Sequence, residues 1–142
     1  ALKQAAQRGV HVVLLLQGKV EYVIQHYATH FLYGELLSAG VEIYEYQASY
    51  LHAKVAVVDG QWTTIGSSNI DPFSLLLARE ANLTVSDTGF AEALRASLMM
   101  AIKNDAQRIE INQLDYLTRF LSRISYGLIR LLVGITGVTK RH

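Results

Sequence analysis

Hydrophobic and polar positions alternate in several different periods along this chain, and each period predicts an element. Residues 10–17 (VHVVLLLQ) are an almost continuous apolar run bounded by Gly9 and Gly18. Its length and branched residues predict a strand buried on both faces, hence a parallel sheet with helices above and below. From Tyr22 to Ala39 the apolar residues recur at helical spacing, and Gly40 closes the segment. Residues 41–46 (VEIYEY) alternate as a strand does, which gives a β-α-β unit. The opening ALKQAAQRG reads as the end of a helix stopped by Gly9. With no initiating Met and no signal peptide, the chain is expected to be part of a longer protein.

Two short β-prone runs follow, joined by Asp59-Gly60 within residues 51–69, LHAKVAVVDGQWTTIGSSN. Asp-Gly at that place predicts a hairpin, because a type I′ turn needs positive φ at both central residues. A two-residue loop pairs Val58 with Gln61 and sets His52 opposite Ser67. Asp71-Pro72 predicts the cap and first residue of a short helix. Residues 80–85 predict a strand with Glu80, Asn82 and Thr84 on one face. Residues 88–103 predict an amphipathic helix with Phe90, Leu94, Leu98 and Ile102 inward. Residues 104–112 read as a polar connection that becomes a strand, if anywhere, at its end.

Residues 114–137 gather Arg119, Arg123, Tyr126 and Arg130 on one side of a helical wheel, with Leu and Ile on the other. The apolar run there is far shorter than the roughly 20 residues of a spanning helix. A basic stripe opposite a wide apolar face suits a helix lying on an anionic membrane, and a helix docked on the core is the alternative. Two units result: a domain over 1–112 that contains the hairpin and a membrane-associating tail over 113–142. The fold class expected is α/β, a mixed sheet flanked by helices on both faces, with the C-terminal amphipathic helix added.

Composition narrows the functions. In 142 residues, 51% hydrophobic, one core can form. A net charge of +1 gives no electrostatic case for nucleic acid. The absence of Cys excludes disulfide scaffolds, thiol chemistry and thiolate zinc sites.

The candidate chemistry lies in the hairpin. His52 and Lys54 are two apart and share a strand face; with Ser67 and Asn69 they present an imidazole, an ammonium, a hydroxyl and an amide. That set suits a tetrahedral phosphate: charge from Lys54, directional hydrogen bonds from Ser67 and Asn69, and a group titrating near neutrality in His52. Elsewhere, His26 and His30 stand at i, i+4 on the predicted helix, a spacing able to chelate a metal. No third ligand accompanies them, so packing is the expected role, as it is for His11 and for Tyr22, Tyr27 and Tyr33.

The pattern H-x-K-x₄-D followed by G-S-x-N, carried here by His52, Lys54, Asp59, Gly66, Ser67 and Asn69, resembles the phospholipase D superfamily. LLLQG near residue 14, AGVEIYEY near 39 and SSNIDPFSLLLAREANL are similar to bacterial cardiolipin synthases. Ala53 departs from the Gly that many members carry there.

The resemblance implies a phosphatidyl transfer between phosphatidylglycerol molecules through a phosphohistidine, giving cardiolipin and glycerol, with hydrolysis of phospholipid or a homodimeric nuclease as alternatives. It implies catalytic roles for His52, Lys54 and Asp59, with Asp59 bracing the motif, and substrate contacts for Ser67 and Asn69. Glu80 is implied as the acidic partner that fixes the histidine tautomer. Two imidazoles are needed, and one motif supplies one. The partner expected is therefore a complementary half bearing the first motif, in the same full-length chain or a second subunit. No metal or cofactor is implied, and the place of action is the cytoplasmic face of a bacterial inner membrane, bound peripherally to anionic lipid.

Overall fold

The computed structural model describes residues 1–19, 23–67 and 80–111, together with Ile124 and Gly127; for residues 23–29 and 31 it describes the backbone. The predicted helix after Asp71 and the predicted tail helix therefore lie outside the described residues, apart from those two positions.

Helix α1 (Leu2–Gln7) and helix α2 (Val23–Ser38) each deliver the chain to a strand, β1 (Val13–Gln17) and β2 (Glu42–Tyr46). Both helices stop in the same way. Gly9 and Gly40 take φ of 91° and 90°, a left-handed conformation that costs a residue with a Cβ. Past α1, the Gly9 and Val10 N–H groups donate to Ala6 and Ala5 carbonyls; past α2, Gly40 and Val41 donate to Leu37 and Leu36. These paired reverse bonds satisfy carbonyls that the helix end would leave orphaned.

β1 and β2 run parallel, Val13 opposite Glu42 through Gln17 opposite Tyr46. A third strand, β6 (Ala106–Arg108), pairs antiparallel with β2, giving the order β1-β2-β6. Residues 106–108 thus form a strand at the start of the segment read as a connection, not at its end; three residues are too few to show a period of two.

The core lies against β2. Ile43, Val41, Tyr33 and Ile109 are buried together, with Leu14, Leu16, Leu36 and Leu37 packed around them. Period-2 alternation puts Ile43 and Glu45 on the same inward face of β2, so a carboxylate is buried beside the apolar cluster. It is compensated there: the Tyr33 hydroxyl donates to Glu45 Oε1 at 3.1 Å, and His30 Nε2 lies 3.2 Å from the same oxygen. The His30 ring also stacks on Tyr33 at 4.4 Å between centroids. His30 therefore serves the core, as expected of a packing histidine; the His26 side chain lies outside the described residues. Burial and the Glu45 carboxylate hold the Tyr33 phenol far above the ordinary tyrosine range.

The second sheet is an antiparallel meander, β3 (Val55–Val58), β4 (Trp62–Gly66) and β5 (Asn82–Ser86). Helix α3 (Thr88–Asp105; α1–α3 number the described helices) follows β5, capped by Asp87, whose carboxylate accepts the Phe90 N–H at 2.7 Å. α3 packs on strands of both sheets. Its most buried residue is Ala91, whereas Phe90 is 40% exposed, so the inward face is turned slightly from the predicted one. α3 passes directly into β6 at Ala106.

Candidate active site

The Asp-Gly turn forms as its composition dictates. Asp59 and Gly60 have φ of 51° and 64°, and the Gln61 N–H returns to the Val58 carbonyl at 3.1 Å. The ladder nevertheless resumes one residue later than expected: Val58 stands opposite Trp62, not Gln61. Gln61 is an extra residue at the hairpin end, its carbonyl accepting the Asp87 N–H at 3.0 Å. A slip of one residue exchanges the two faces of a strand. Lys54 consequently sits opposite Gly66, joined by the Gly66 N–H to the Lys54 carbonyl at 3.0 Å, and His52 is not opposite Ser67.

His52 and Lys54 still come together. Both precede β3, and the Lys54 ammonium lies 3.0 Å from His52 Nε2. An ammonium has only donors, so in this contact Nε2 accepts and the ring proton of neutral His52 resides on Nδ1. A lone pair and a positive charge thus occupy one exposed spot, where an anion with an ionisable oxygen would meet both.

Ser67 takes a different position. Its N–H donates to the Ala81 carbonyl at 3.0 Å, and its hydroxyl accepts the Ala81 N–H at 3.1 Å while lying 3.4 Å from the Ala81 carbonyl. Ser67 thereby fastens the end of β4 to the residue after Glu80. Gly66 makes this possible: a Cβ there would lie 2.7 Å from the Asn82 Cα, so only glycine lets β5 approach so closely. Glu80 stands half-buried beside this junction, and no hydrogen bond joins it to His52 among the described residues. Asp59, at the turn, is about 16 Å of extended chain from Lys54. Asn69 lies outside the described residues.

The segment carrying His52 leaves the end of β2 and is held from the end of β1. Gln17 Oε1 accepts the Leu51 N–H, Gln17 Nε2 donates to the Lys19 carbonyl at 3.0 Å, and Lys19 Nζ donates to the Ala48 carbonyl at 3.0 Å. The site therefore gathers where the carboxyl ends of parallel strands meet, the usual place for ligands in open α/β sheets. In the sequence Gln17 ends the predicted strand and Lys19 lies just beyond Gly18; no local signal joins them to residues 48–51.

Residues 1–101 match the family described as "Cardiolipin synthase, PLD-like domain". The chain belongs to this family. Over its whole length it is 43% identical to cardiolipin synthase B of Salmonella typhi and 41% identical to that of Escherichia coli K12, and it spans 35% of the length of each. Cardiolipin synthase A of Salmonella arizonae is 41% identical over 68% of the chain, which spans 20% of that protein. In three dimensions the chain is similar to the crystal structure of a phospholipase D family member, Nuc from Salmonella typhimurium: TM-score 0.63 at 17% identity, over 76% of this chain and 70% of that one. That likeness shows the phospholipase D-like fold.

Relatives of this PLD-like domain are thus enzymes, and the chain spans about a third of the length of the cardiolipin synthase B relatives and a fifth of the synthase A relative. Among the described residues no helix is long and apolar enough to cross a membrane, and no group of three or more His, Asp or Glu is placed to hold a metal ion.

Proposed function

We propose that this chain supplies one half of a two-histidine active site for phosphatidyl transfer, forming cardiolipin and glycerol from two molecules of phosphatidylglycerol. The single observation that carries the proposal is the 3.0 Å approach of Lys54 Nζ to His52 Nε2. The exposure of His52 supports the second part: a site for water-sensitive transfer has to be roofed, and a complementary half bearing the first H-x-K motif is the natural roof.

In the first step a histidine of the complementary half attacks the donor phosphorus, and a P–N bond forms as the P–O bond to the headgroup glycerol breaks. His52, protonated at Nε2, gives that proton to the departing oxygen. The arriving phosphate draws Lys54 Nζ onto a non-bridging oxygen, which releases Nε2 to carry the proton. In the second step neutral Nε2 takes the proton from the hydroxyl of the second phosphatidylglycerol. That oxygen attacks phosphorus and the P–N bond breaks. Lys54 and Asn69 stabilise charge on the non-bridging oxygens. Ser67 supports them chiefly by fastening the strand, since its hydroxyl is occupied by Ala81. Glu80 orients His52 through Nδ1 once the halves close, as the Asp of a serine-protease triad does, and Asp59 braces the hairpin at its turn.

Acceptor choice places the reaction at a lipid surface. The Arg119, Arg123 and Arg130 stripe of the 113–142 tail suits the anionic cytoplasmic face of a bacterial inner membrane.

Expression of the full-length protein in cells lacking cardiolipin tests the proposal, with His52→Ala as control. Cardiolipin that appears only with His52 present supports transfer. Phosphatidic acid in its place assigns hydrolysis, and an unchanged lipid profile rejects both.

A further inference from the structure

We infer that Gln17 is the positioning residue for His52, acting through the backbone of Leu51. The inference rests on the reading of His52 as an acid/base group given above, and adds to it the device that holds the ring in place.

Among the described residues the segment between β2 and β3 pairs with no strand. At its start the Gln47 N–H donates to the Asp105 carbonyl at 2.8 Å, and at its end the Lys54 carbonyl accepts from Gly66. Between these anchors no described strand lies beside His52. A stretch held only at its ends samples many backbone states, and fixing each residue costs about 1–2 kcal/mol of conformational entropy. The side chain of Gln17 supplies a fixed point between them. Its oxygen takes the amide of Leu51, the residue immediately before His52, and its nitrogen is turned away to the Lys19 carbonyl.

Lys19 completes the clasp by reaching Ala48 at the other side of the segment. Gly18 lets the clasp sit close: its N–H donates to the Tyr46 carbonyl at 3.0 Å, and a Cβ at residue 18 would lie 2.7 Å from that carbonyl. A carboxamide suits this role because it offers, without charge, an acceptor and a donor on two separate atoms at the end of a long side chain. A shift of His52 by about 1 Å is enough to lower turnover on the order of a hundredfold.

The test compares full-length wild type, Gln17→Met, Gln17→Glu and His52→Ala, reading kcat and KM for lipid product together with amide hydrogen exchange at Leu51. Gln17→Met keeps length and loses both bonds. It is expected to lower kcat about ten- to a hundredfold, with KM within about twofold and faster Leu51 exchange. Gln17→Glu keeps an acceptor for the Leu51 N–H but loses the donor to the Lys19 carbonyl, so it is expected to recover part of both and to fall between Gln17→Met and wild type. His52→Ala should abolish turnover and leave Leu51 exchange at the wild-type rate, which separates loss of chemistry from loss of position. Wild-type kcat or wild-type Leu51 exchange in Gln17→Met overturns the inference. If the wild type makes no lipid product, the exchange comparison still decides whether Gln17 anchors the segment, and the activity reading alone has failed. If Gln17→Met proves too unstable to assay, Lys19→Ala takes its place. A several-fold fall in kcat with faster exchange over residues 48–51 then upholds the clasp, and no change in either overturns it.

Discussion

The ammonium of Lys54 donates to Nε2 of His52 across 3.0 Å, so the neutral ring holds its own proton on Nδ1. ¹⁵N spectra of the full-length protein should show the Nδ1–H tautomer for neutral His52. Lys54→Met should shift the ring toward the commoner mixture of tautomers and lower turnover by about a hundredfold or more, the scale of one lost electrostatic donor. A His52 spectrum unmoved by Lys54→Met would show that the two side chains do not meet in solution.

Gly66 admits β5 to within reach of β4. Gly66→Ala would press a methyl against the backbone of Asn82 and the Ala81 carbonyl. Overpacking of this kind costs about 1–3 kcal/mol, and it also disturbs the Ser67–Ala81 junction beside Glu80. Thermal denaturation should report the stability loss, and the fall in kcat should exceed that of an equally destabilising core substitution remote from the site.

Asp59 holds φ of 51° at the turn, a conformation that Asn adopts readily and β-branched residues do not. Asp59→Asn should leave stability within about 0.5 kcal/mol of wild type, whereas Asp59→Val should lose about 1–2 kcal/mol. Denaturant titration of both variants distinguishes a residue that braces the turn from one that tolerates any replacement.

Much of this architecture is legible because it is local. Gly9 and Gly40 each follow a helical period and mark its end, and Asp59-Gly60 dictates a turn whatever surrounds it. The register of the hairpin was not legible from the same dipeptide, because the inclusion of Gln61 depends on Asp87, the cap residue just past β5. Ile43 and Glu45 visibly share a face, yet that the face is the buried one depends on Tyr33 and His30 arriving from α2. Gln17 gives no local sign at all: its partner is Leu51, brought near by the parallel pairing of β1 with β2. For the site, His52 and Lys54 could be read from their spacing, whereas the attachment of Ser67 to Ala81 follows from strand order.

The buried Glu45 makes the core sensitive to alkali through Tyr33. The phenol is held above its ordinary value by burial first and by the Glu45 charge second. Its folded pKa is raised, so this contribution is fully present below the unfolded value of about 10 and is lost as pH rises above it. Tyr33→Phe should unfold more easily at neutral pH, by about 1–3 kcal/mol for a buried acceptor deprived of a partner, while its stability declines less steeply above pH of about 10. Denaturation midpoints across the alkaline range check both parts.

At the acid end the surface carboxylate of Glu42 behaves in the opposite sense. Its pKa is lowered, first by the hydrogen bond from His11 at 2.9 Å and then by that from the Tyr44 hydroxyl at 2.9 Å. That contribution is present above the ordinary carboxylate range and is lost as pH falls through the depressed value. Glu42→Gln should flatten the acid limb of the stability curve, an effect kept small by solvent around the pair.

Helix α3 spans 18 residues between its Asp87 cap and the first residue of β6, and it has no slack at either end. It works as a strut of about 27 Å bolted to one sheet at its start and to the other at its finish. One inserted residue would rotate its far bolt by about 100° and tear Asp105 from the Gln47 amide, the hinge pin of the His52 segment. Length changes here should be survivable only in steps that restore the helical phase, so this distant rod sets the tolerance to which the catalytic ring is mounted.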